Sequence, residues 1–533
     1  MNEIDVAILG GGLAGNLLAR QLRREVPGAS VAVFEKSRER TYKVGESTVE
    51  IATNYLSRKL GLQGYVYQEH LPKNGLRYFF DTEKKDAALH EMSEIGVSVL
   101  PPWPSFQLDR ARLEADLLRM NEQDGVQVHL GARVKDLSLD AEGNTFTVVQ
   151  TPEDGDAKNA TETQWKARWV VDGTGRESLI AKKLDLRLPE KDHRIAAAWG
   201  RLRGLANIDD TGNAEFHSRV KWTSRGLSTN HFMYPGYWLW LIPLRNGLTS
   251  VGIVQEREQW TPAKHKPEGF LSFLREHRAI DEVLGDDPEL VDLQAYGQLA
   301  FKTRRFFGQE RWACVGDAGA FTDPFYSPGS DFIAFENDLT TDLIRRDLAG
   351  EDVSKRIDLA DEYMKFRYDI TLVVYKGLYP TFGSYDLFLA KAFFDTAIYY
   401  NLVFDSYVKD EHLDARHIRS SLRRRAFVLE MLQNYASLFR NAAETLKAEG
   451  RFYDGNEGNH AVDGRSAFGP LETVGEPRSR REINARNEAI FVHTRSLVAQ
   501  ALGESSAARE IVDGSKKMYD AWNQLAPRGG APQ

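Results

Sequence analysis

The sequence has little cysteine and no excess of basic charge. Cys314 is its single cysteine, which excludes an intramolecular disulfide and is typical of a reducing compartment. Lys and Arg number 69 against 77 Asp and Glu, so the formal net charge is -8 and a basic nucleic-acid-binding surface is not expected. The 12 histidines show no paired ligand spacing, and no metal site is predicted.

Long hydrophobic runs and targeting signals are also missing. The first residues enter a strand pattern directly, with no basic region and no small-residue cleavage site, so we expect no secretory signal. The nearest candidate for a membrane span, residues 370–382, is short and contains Lys376, Gly377 and Pro380. We therefore expect a cytoplasmic protein without a membrane span. Its 533 residues are enough for about two to four domains.

A glycine-rich turn joins the first predicted strand to the first predicted helix. Gly10, Gly12 and Gly15 form Gly-x-Gly-x-x-Gly, and a second strand pattern ends at Glu35. These glycines allow a tight turn, close approach of a pyrophosphate and close helix–strand packing, and the helix N-terminus attracts phosphates. Glu35 stands where an acid accepts the ribose hydroxyls. The pattern predicts a Rossmann-type unit but does not separate FAD from NAD.

Two later segments have the same strand-to-turn character. Residues 170–176 read Val-Val-Asp-Gly-Thr-Gly-Arg, and residues 313–323 read Ala-Cys-Val-Gly-Asp-Ala-Gly-Ala-Phe-Thr-Asp. This ordered set resembles the flavoprotein monooxygenase superfamily, whose FAD-binding lobe is assembled from separated pieces of chain. The resemblance implies that Asp317 binds the ribityl chain of FAD. It also implies that Arg110, in Gln-Leu-Asp-Arg, lies near the cofactor.

Residues 238–243, Trp-Leu-Trp-Leu-Ile-Pro, match the Trp-x-Trp-x-Ile-Pro signature of flavin-dependent halogenases. In a strand, Trp238 and Trp240 project to the same face, so their indoles can wall off a cavity beside the flavin. Residues 44–48, Val-Gly-Glu-Ser-Thr, resemble the loop that the same family places over the flavin. The resemblance predicts cofactor contacts at this loop, namely Gly45, Glu46 and Ser47.

Residues 73–79, Lys-Asn-Gly-Leu-Arg-Tyr-Phe, resemble the family's Lys-x-Gly-x-x-Phe segment, which implies that Lys73 is the essential lysine. In such enzymes reduced FAD from a separate flavin reductase reacts with oxygen and with chloride or bromide. The lysine then relays hypohalous acid to an electron-rich carbon of a small aromatic or carrier-tethered substrate. A desolvated lysine suits this role because burial lowers its pKa.

The loop that follows Asp317 departs from the family pattern. Tyr326 stands where tryptophan halogenases have a catalytic glutamate, which favours phenol, pyrrole or aliphatic substrates over tryptophan. Pro328 and Gly329 stand where the family holds halide with two backbone N–H groups, and proline has no N–H to donate. Ser327 or Ser330 would have to supply a replacement. We predict Tyr326 and Ser330 as catalytic-site residues and Gly329 as a cofactor contact.

Three functions remain open at this point. The first is a halogenase, and the second is a halogenase-like monooxygenase or oxidase that does not use halide. The third is an FAD-binding protein without turnover, such as a redox sensor. Their products differ, since the first adds halogen, the second adds oxygen or removes electrons, and the third gives no oxygen-dependent product.

The coarse pattern predicts an α/β fold with a doubly wound parallel sheet assembled from discontinuous segments. We expect this FAD-binding lobe in residues 1–184, with an inserted substrate-side segment near 65–105, and its return in 296–350. An antiparallel substrate-domain sheet is expected in 185–295 and a helical C-terminal region in 351–533. Aromatic stripes in these helices are expected mainly to pack helices together, although they could also roof a substrate cavity.

Overall fold

The computed structural model describes residues 1–152, 157–462, 473–503, 509–511 and 513–514. The strands are β1 (Asn2–Leu9), β2 (Val31–Glu35), β3 (Leu71–Lys73), β4 (Leu76–Phe80), β5 (Ser93–Ile95), β6 (Ser105–Gln107), β7 (Gln127–Leu130), β8 (Ala132–Ser138), β9 (Asn144–Gln150), β10 (Thr161–Asp172), β11 (Arg187–Pro189), β12 (Ile195–Arg203), β13 (Thr229–Tyr234), β14 (Tyr237–Pro243), β15 (Thr249–Glu256), β16 (Glu289–Tyr296), β17 (Phe301–Thr303), β18 (Phe307–Gly308), β19 (Trp312–Cys314) and β20 (His460–Ala461).

The α-helices are α1 (Leu13–Glu25), α2 (Glu50–Asn54), α3 (Gln63–Glu69), α4 (Arg110–Gln123), α5 (Leu179–Lys183), α6 (Ala214–Ser218), α7 (Pro267–Arg275), α8 (Arg278–Leu284), α9 (Gly329–Leu348), α10 (Ser354–Val373), α11 (Tyr385–Ile398), α12 (Asp405–Val408), α13 (Ala415–Arg423), α14 (Arg425–Ala448) and α15 (Arg480–Leu502). Two π-helical segments extend α2 and join α11 to α12, Tyr55–Lys59 and Tyr399–Phe404. Short 3₁₀ turns are Ala157–Asn159, Gly175–Glu177, Arg225–Leu227, Arg245–Gly247, Pro262–His265, Gly316–Ala318, Tyr379–Thr381 and Glu411–Leu413.

The nucleotide-binding pattern forms the first sheet, whose order is β18-β19-β10-β1-β2-β7. β1 is parallel to β2 and β10, β10 to β19, and β2 to β7, while β8 and β9 extend from β10 as antiparallel strands. Central strands of such a sheet are covered on both faces, which is why β1 ends in four consecutive buried apolar residues, from Val6 to Leu9. Since β1, β10 and β19 come from separate stretches, the predicted discontinuous parallel sheet is confirmed.

The second sheet has the order β16-β12-β15-β14-β13-β4-β5-β20. It is antiparallel throughout, except that β13 pairs with β4, and β5 with β20, in parallel. The strands of the range 185–295 form one side of this sheet, from the edge strand β16 to β13. Strands β4 and β5, from the segment near 65–105, and β20, from the C-terminal region, extend it. The domain boundaries themselves stay a prediction.

One face of the second sheet packs on the C-terminal helices. Trp238 and Trp240 of β14 belong to an apolar core that also contains Phe325, Phe382 and Phe388. α11 packs against α15, where Phe394 and Phe491 flank Tyr435 in a stack of rings. The helical character predicted for 351–533 holds in the described part of that range. Residues 463–472, 504–508, 512 and 515–533 lie outside the described residues.

The continuous helical stretch Tyr385–Val408 is long and apolar enough to cross a membrane by length and composition, with a mean hydropathy of 1.2. The sequence suggested residues 370–382 as the nearest candidate for a membrane span, and this longer stretch was not predicted. Of its most apolar window, 56% is buried inside the protein. A core helix passes the same test, and α11 packs in this way between α14 and α15.

Candidate active site

Two neighbouring cavities meet at the centre of the molecule. The first has a volume of about 760 Å³ and the second about 430 Å³. Two strips of chain line both of them. In residues 44–50, the first part faces the first cavity, while Val49 and Glu50 face the second. In residues 324–331, the two cavities are lined by different side chains of the same loop. These strips are the wall between the cavities.

Most residues predicted for the cofactor and the site line the first cavity. They are Gly10, Gly12, Glu35, Gly45, Glu46, Ser47, Arg110, Trp238, Trp240, Asp317, Gly329 and Ser330. Lys73 and Tyr326 line the second cavity. Gly15 lies behind the wall of the first cavity, where a Cβ would overlap the carbonyl oxygen of Gly10. Its contribution is therefore the close packing of α1 on the turn.

The glycine turn forms one end of the first cavity. Gly10 has a φ of +100°, and a Cβ there would lie 2.5 Å from the carbonyl oxygen of Gly173, so only glycine fits. The Gly11 N–H donates to the Glu35 carboxylate at 2.7 Å, which fixes this acid at the end of β2. The turn leads into α1, whose N-terminal N–H groups suit an anion. These groups fit the pyrophosphate and one ribose of a dinucleotide.

Asp317 lies on the 3₁₀ turn after β19 and lines the first cavity. Burial raises the pKa of its carboxyl group, and the charges of Arg176 and Arg110 act in the opposite direction. Arg110 donates to the Val44 carbonyl oxygen at 2.8 Å and pairs with Glu114. Beside the glycine turn, Asp317 can accept hydrogen bonds from hydroxyl groups and Arg110 can donate them. These groups fit FAD.

The two tryptophans stand side by side on β14, with ring centroids 5.6 Å apart. Gly252 pairs with Trp240 across the sheet, and a Cβ on Gly252 would overlap the indole. This glycine therefore makes room for the ring. The Trp240 Nε1–H donates to Ser250 Oγ at 3.1 Å, and the Trp238 Nε1–H donates to Tyr379 Oη at 3.0 Å.

Trp238 is held by a chain of hydrogen bonds that the sequence did not reveal. The Tyr379 hydroxyl donates to Asp323 Oδ2 at 2.8 Å, and His193 Nε2 lies 2.7 Å from the same oxygen. All of these groups are buried. Tyr379, Asp323 and His193 come from three distant parts of the chain, so no local pattern could have joined them.

Lys73 ends β3 and is 3% exposed. Its Nζ donates to Ser47 Oγ and to the Thr48 carbonyl oxygen, both at 2.8 Å. Burial lowers the pKa of Lys73 to about 8, although the charges of Glu50 and Asp331 act in the opposite direction. The amine thus lines the second cavity while it bonds to Ser47, a residue of the first. A substantial neutral fraction exists near pH 8.

Two carboxyl groups of the second cavity were missed by sequence reasoning. The Tyr400 hydroxyl donates to Glu50 Oε1 at 2.7 Å, and the Tyr399 hydroxyl donates to Asp331 Oδ2 at 3.0 Å. Asp331 also accepts from the Ala52 N–H at 2.9 Å. Burial raises the pKa of Glu50, and it raises the pKa of Asp331 to about 7. Both tyrosines lie in the π-helical segment Tyr399–Phe404, a feature frequent at functional sites.

The loop expected to hold halide divides its side chains between the cavities. The Tyr326 hydroxyl donates to Asp395 Oδ2 at 2.7 Å, so it is held by an acid that also pairs with Lys391. Pro328 precedes α9 and lines the second cavity. Ser327 and Ser330 line the first cavity, which is the side on which a bound anion would meet them.

The chain matches a family model described as FAD binding domain over residues 3–330. The flavin-dependent halogenase chlA of Dictyostelium discoideum is 29% identical over 441 residues, which cover 78% of this chain and 72% of that protein. The 1H-pyrrole-2-carbonyl peptidyl-carrier-protein chlorinase of Pseudomonas fluorescens is 25% identical over 353 residues, 62% of this chain and 72% of that protein. The crystal structure of halogenase PltM superposes with a TM-score of 0.67 at 17% identity, covering 96% of this chain and 99% of that chain.

Proposed function

The chain belongs to the FAD-binding domain family, in which its relatives are flavin-dependent halogenases, and we propose that it halogenates an electron-rich aromatic substrate held in the second cavity. It is a flavin-dependent enzyme with FAD as its cofactor. The observation that carries the proposal is the position of Lys73. Its amine lies in the second cavity and bonds to Ser47, which lines the first.

The first cavity is the proposed site of FAD. Glu35 binds a ribose, Asp317 the ribityl chain, and the N-terminus of α1 the pyrophosphate. Trp238 and Trp240 separate the flavin end from the aromatic substrate. The remaining proposed contacts are Gly10, Gly12, Gly45, Glu46, Ser47, Arg110 and Gly329, all of which line this cavity. A separate flavin reductase is the proposed source of reduced FAD.

When bound and reduced, FAD supplies two electrons to oxygen, and oxidation of halide to hypohalous acid supplies the other two. The neutral amine of Lys73 attacks the halogen, so that an N–halogen bond forms and the O–halogen bond breaks. The hydroxide takes the proton lost by nitrogen and departs as water. The aromatic carbon then attacks the halogen, and the N–halogen bond breaks. Asp331 accepts the ring proton and returns it to the amine, because a pKa of about 7 suits a general base.

Halide binding has to differ from the usual pattern because Pro328 has no N–H. The proposal places chloride or bromide at the Gly329 N–H, with the hydroxyls of Ser330 and Ser327 as replacement donors. Support comes from the position of both hydroxyls on the first cavity. The missing N–H also favours the second candidate, a monooxygenase or oxidase that does not use halide. The two candidates differ in whether the product carries halogen or added oxygen.

The decisive experiment compares Lys73→Met with the wild type. Both proteins receive reduced FAD, oxygen, bromide and a panel of phenols, and products are identified by mass spectrometry. We expect the variant to oxidise reduced FAD at the wild-type rate but to lose halogenated product by at least about 10²-fold, since it lacks a group that acts directly on the reacting atoms.

Lys264→Met is the matched control, because Lys264 is also buried but packs on Phe273 outside both cavities. It should halogenate normally. Normal halogenation by Lys73→Met would contradict the lysine relay. An oxygenated product without halogen from the wild type would instead establish the second candidate.

A further inference from the structure

Arg367 is a cation of the second cavity for which the proposed reaction has no use. It lies on α10 and lines the cavity with its guanidinium carbon 4.7 Å from the centre of the Phe335 ring. Among the described residues the guanidinium has no hydrogen bond and no ion pair, and its Nε is buried without a partner. The contact with Phe335 holds the planar group against an aromatic face.

Two basic groups near the cavities form ion pairs. Arg110 of the first cavity pairs with Glu114, and Lys391, which lies behind the second cavity, pairs with Asp395 of its lining. The charge of Asp331 acts on Arg367, but the hydrogen bonds of this acid come from Tyr399 and the Ala52 N–H. A buried cation without a hydrogen-bonded partner is costly, and a site that retains one gains when an anion enters.

We propose that Arg367 binds an oxyanion of the aromatic substrate, a carboxylate or a phenolate, and so orients the ring toward Lys73. This inference rests on the proposed function. The fork of a guanidinium matches the two oxygens of a carboxylate, whereas a phenolate accepts from one arm. The rest of the cavity suits an aromatic ring, since its lining includes Tyr78, Phe335, Tyr375 and Phe393.

The inference restricts the substrate class. A ring with an acidic substituent is anchored at Arg367 and presents its electron-rich carbons to the amine. A neutral ring of the same size has only apolar contacts and can rotate in the cavity. Arg367 would therefore affect both affinity and the position of halogenation.

Binding is tested without turnover, so that it does not depend on the lysine relay. The FAD-bound enzyme is titrated with 2,4-dihydroxybenzoate and with its methyl ester by calorimetry, from pH 6 to pH 10. We expect the wild type to bind the acid about 10- to 100-fold more tightly than the ester, the range for hydrogen bonds to charged groups. Arg367→Met should abolish this difference and, at pH 6, where the phenol groups are protonated, leave ester binding unchanged. Arg367→Lys should restore part of it.

The pH series separates the two sources of the oxyanion. If phenolate is the anchor, acid and ester both bind more tightly as pH rises through the phenol pKa, and Arg367→Met removes that rise. Arg425→Met is the control. Arg425 lies outside the cavity and pairs with Glu362 and Asp369 of α10, the helix that carries Arg367. Retained flavin content and thermal unfolding temperature show that Arg367→Met is folded. Equal wild-type affinity for acid and ester with no rise in either as pH increases overturns the proposal. So does an Arg367→Met variant that keeps both the wild-type difference between acid and ester and the wild-type pH dependence.

Discussion

The two cavities are built in different ways. The first is shaped by turns of backbone, in which Gly10 and its neighbours leave space that a side chain would fill. The second is shaped by side chains, with Lys73 on β3, Asp331 on α9, Arg367 on α10 and Tyr399 in the π-helical segment. A cofactor shared by many enzymes is held through features that short motifs encode. A substrate peculiar to one enzyme is held by groups that only the tertiary fold brings together.

The difference follows from how each kind of contact arises. A glycine turn positions its N–H groups through local dihedral angles, so a few neighbouring residues determine the site. A pair such as Asp331 and Tyr399 requires α9 to pack near the C-terminal helices, and this depends on an apolar core spread over the chain. Substitutions in the first cavity should therefore mainly lower FAD affinity, and substitutions in the second should mainly lower halogenation.

The largest effect is expected from Gly15→Val. A side chain at this position would overlap the Gly10 carbonyl oxygen and push α1 away from the turn. We expect FAD affinity to fall by more than about 100-fold, because the packing that positions the anion-binding N–H groups is lost. Flavin fluorescence titration measures it. Gly28→Ala is the control, since a Cβ there meets nothing within 4 Å. Full flavin occupancy in Gly15→Val would show that the turn tolerates a side chain at this position.

Much of the fold could be predicted from local patterns. The strand, turn and helix around Gly10 and the second strand that ends at Glu35 lie where expected. β4 and β5 were not assigned to the second sheet, because β4 pairs with a strand about 150 residues away, such as Phe79 with Phe232.

The candidate site was predicted unevenly for the same reason. Residues in motifs, such as Asp317 and Trp238, line the first cavity. Glu50 and Asp331 lie next to recognised motifs, yet nothing local distinguishes them from solvent-exposed acids. Their significance depends on burial and on the hydroxyls of Tyr399 and Tyr400, which come from a region without any motif.

The second-largest effect is expected in the second cavity, from Asp331→Asn. Asparagine keeps the size of the side chain and can still accept from the Ala52 N–H, but it cannot take the ring proton. Halogenation should fall by about 10²-fold at pH 8, the low end for loss of a general base. Oxidation of reduced FAD should continue. Glu50→Gln is the comparison, and it should lose less than tenfold.

The pH dependence sharpens this test. The Lys73 amine and the Asp331 carboxylate both act deprotonated, so wild-type halogenation should rise with pH through about 7 and again through about 8. Asp331→Asn removes the lower step. It also removes a negative charge that raises the pKa of Lys73, so the remaining step should shift slightly below its wild-type position. Two unchanged steps in the variant would assign the lower one to a different group.

The smallest effect is expected from Tyr379→Phe, because Tyr379 holds Trp238 at the edge of the first cavity. This change removes the acceptor of the Trp238 Nε1–H and the hydroxyl that donates to Asp323. A buried donor without a partner costs about 1–3 kcal/mol, so the Trp238 ring should be held less firmly while both cavities persist. We expect FAD binding to be unchanged and the yield of halogenated product per flavin oxidised to fall a few-fold.

Tyr385→Phe, another buried tyrosine in the same core, is the control. A normal yield from Tyr379→Phe would mean that packing alone holds Trp238, whose ring also contacts Phe325 and His231.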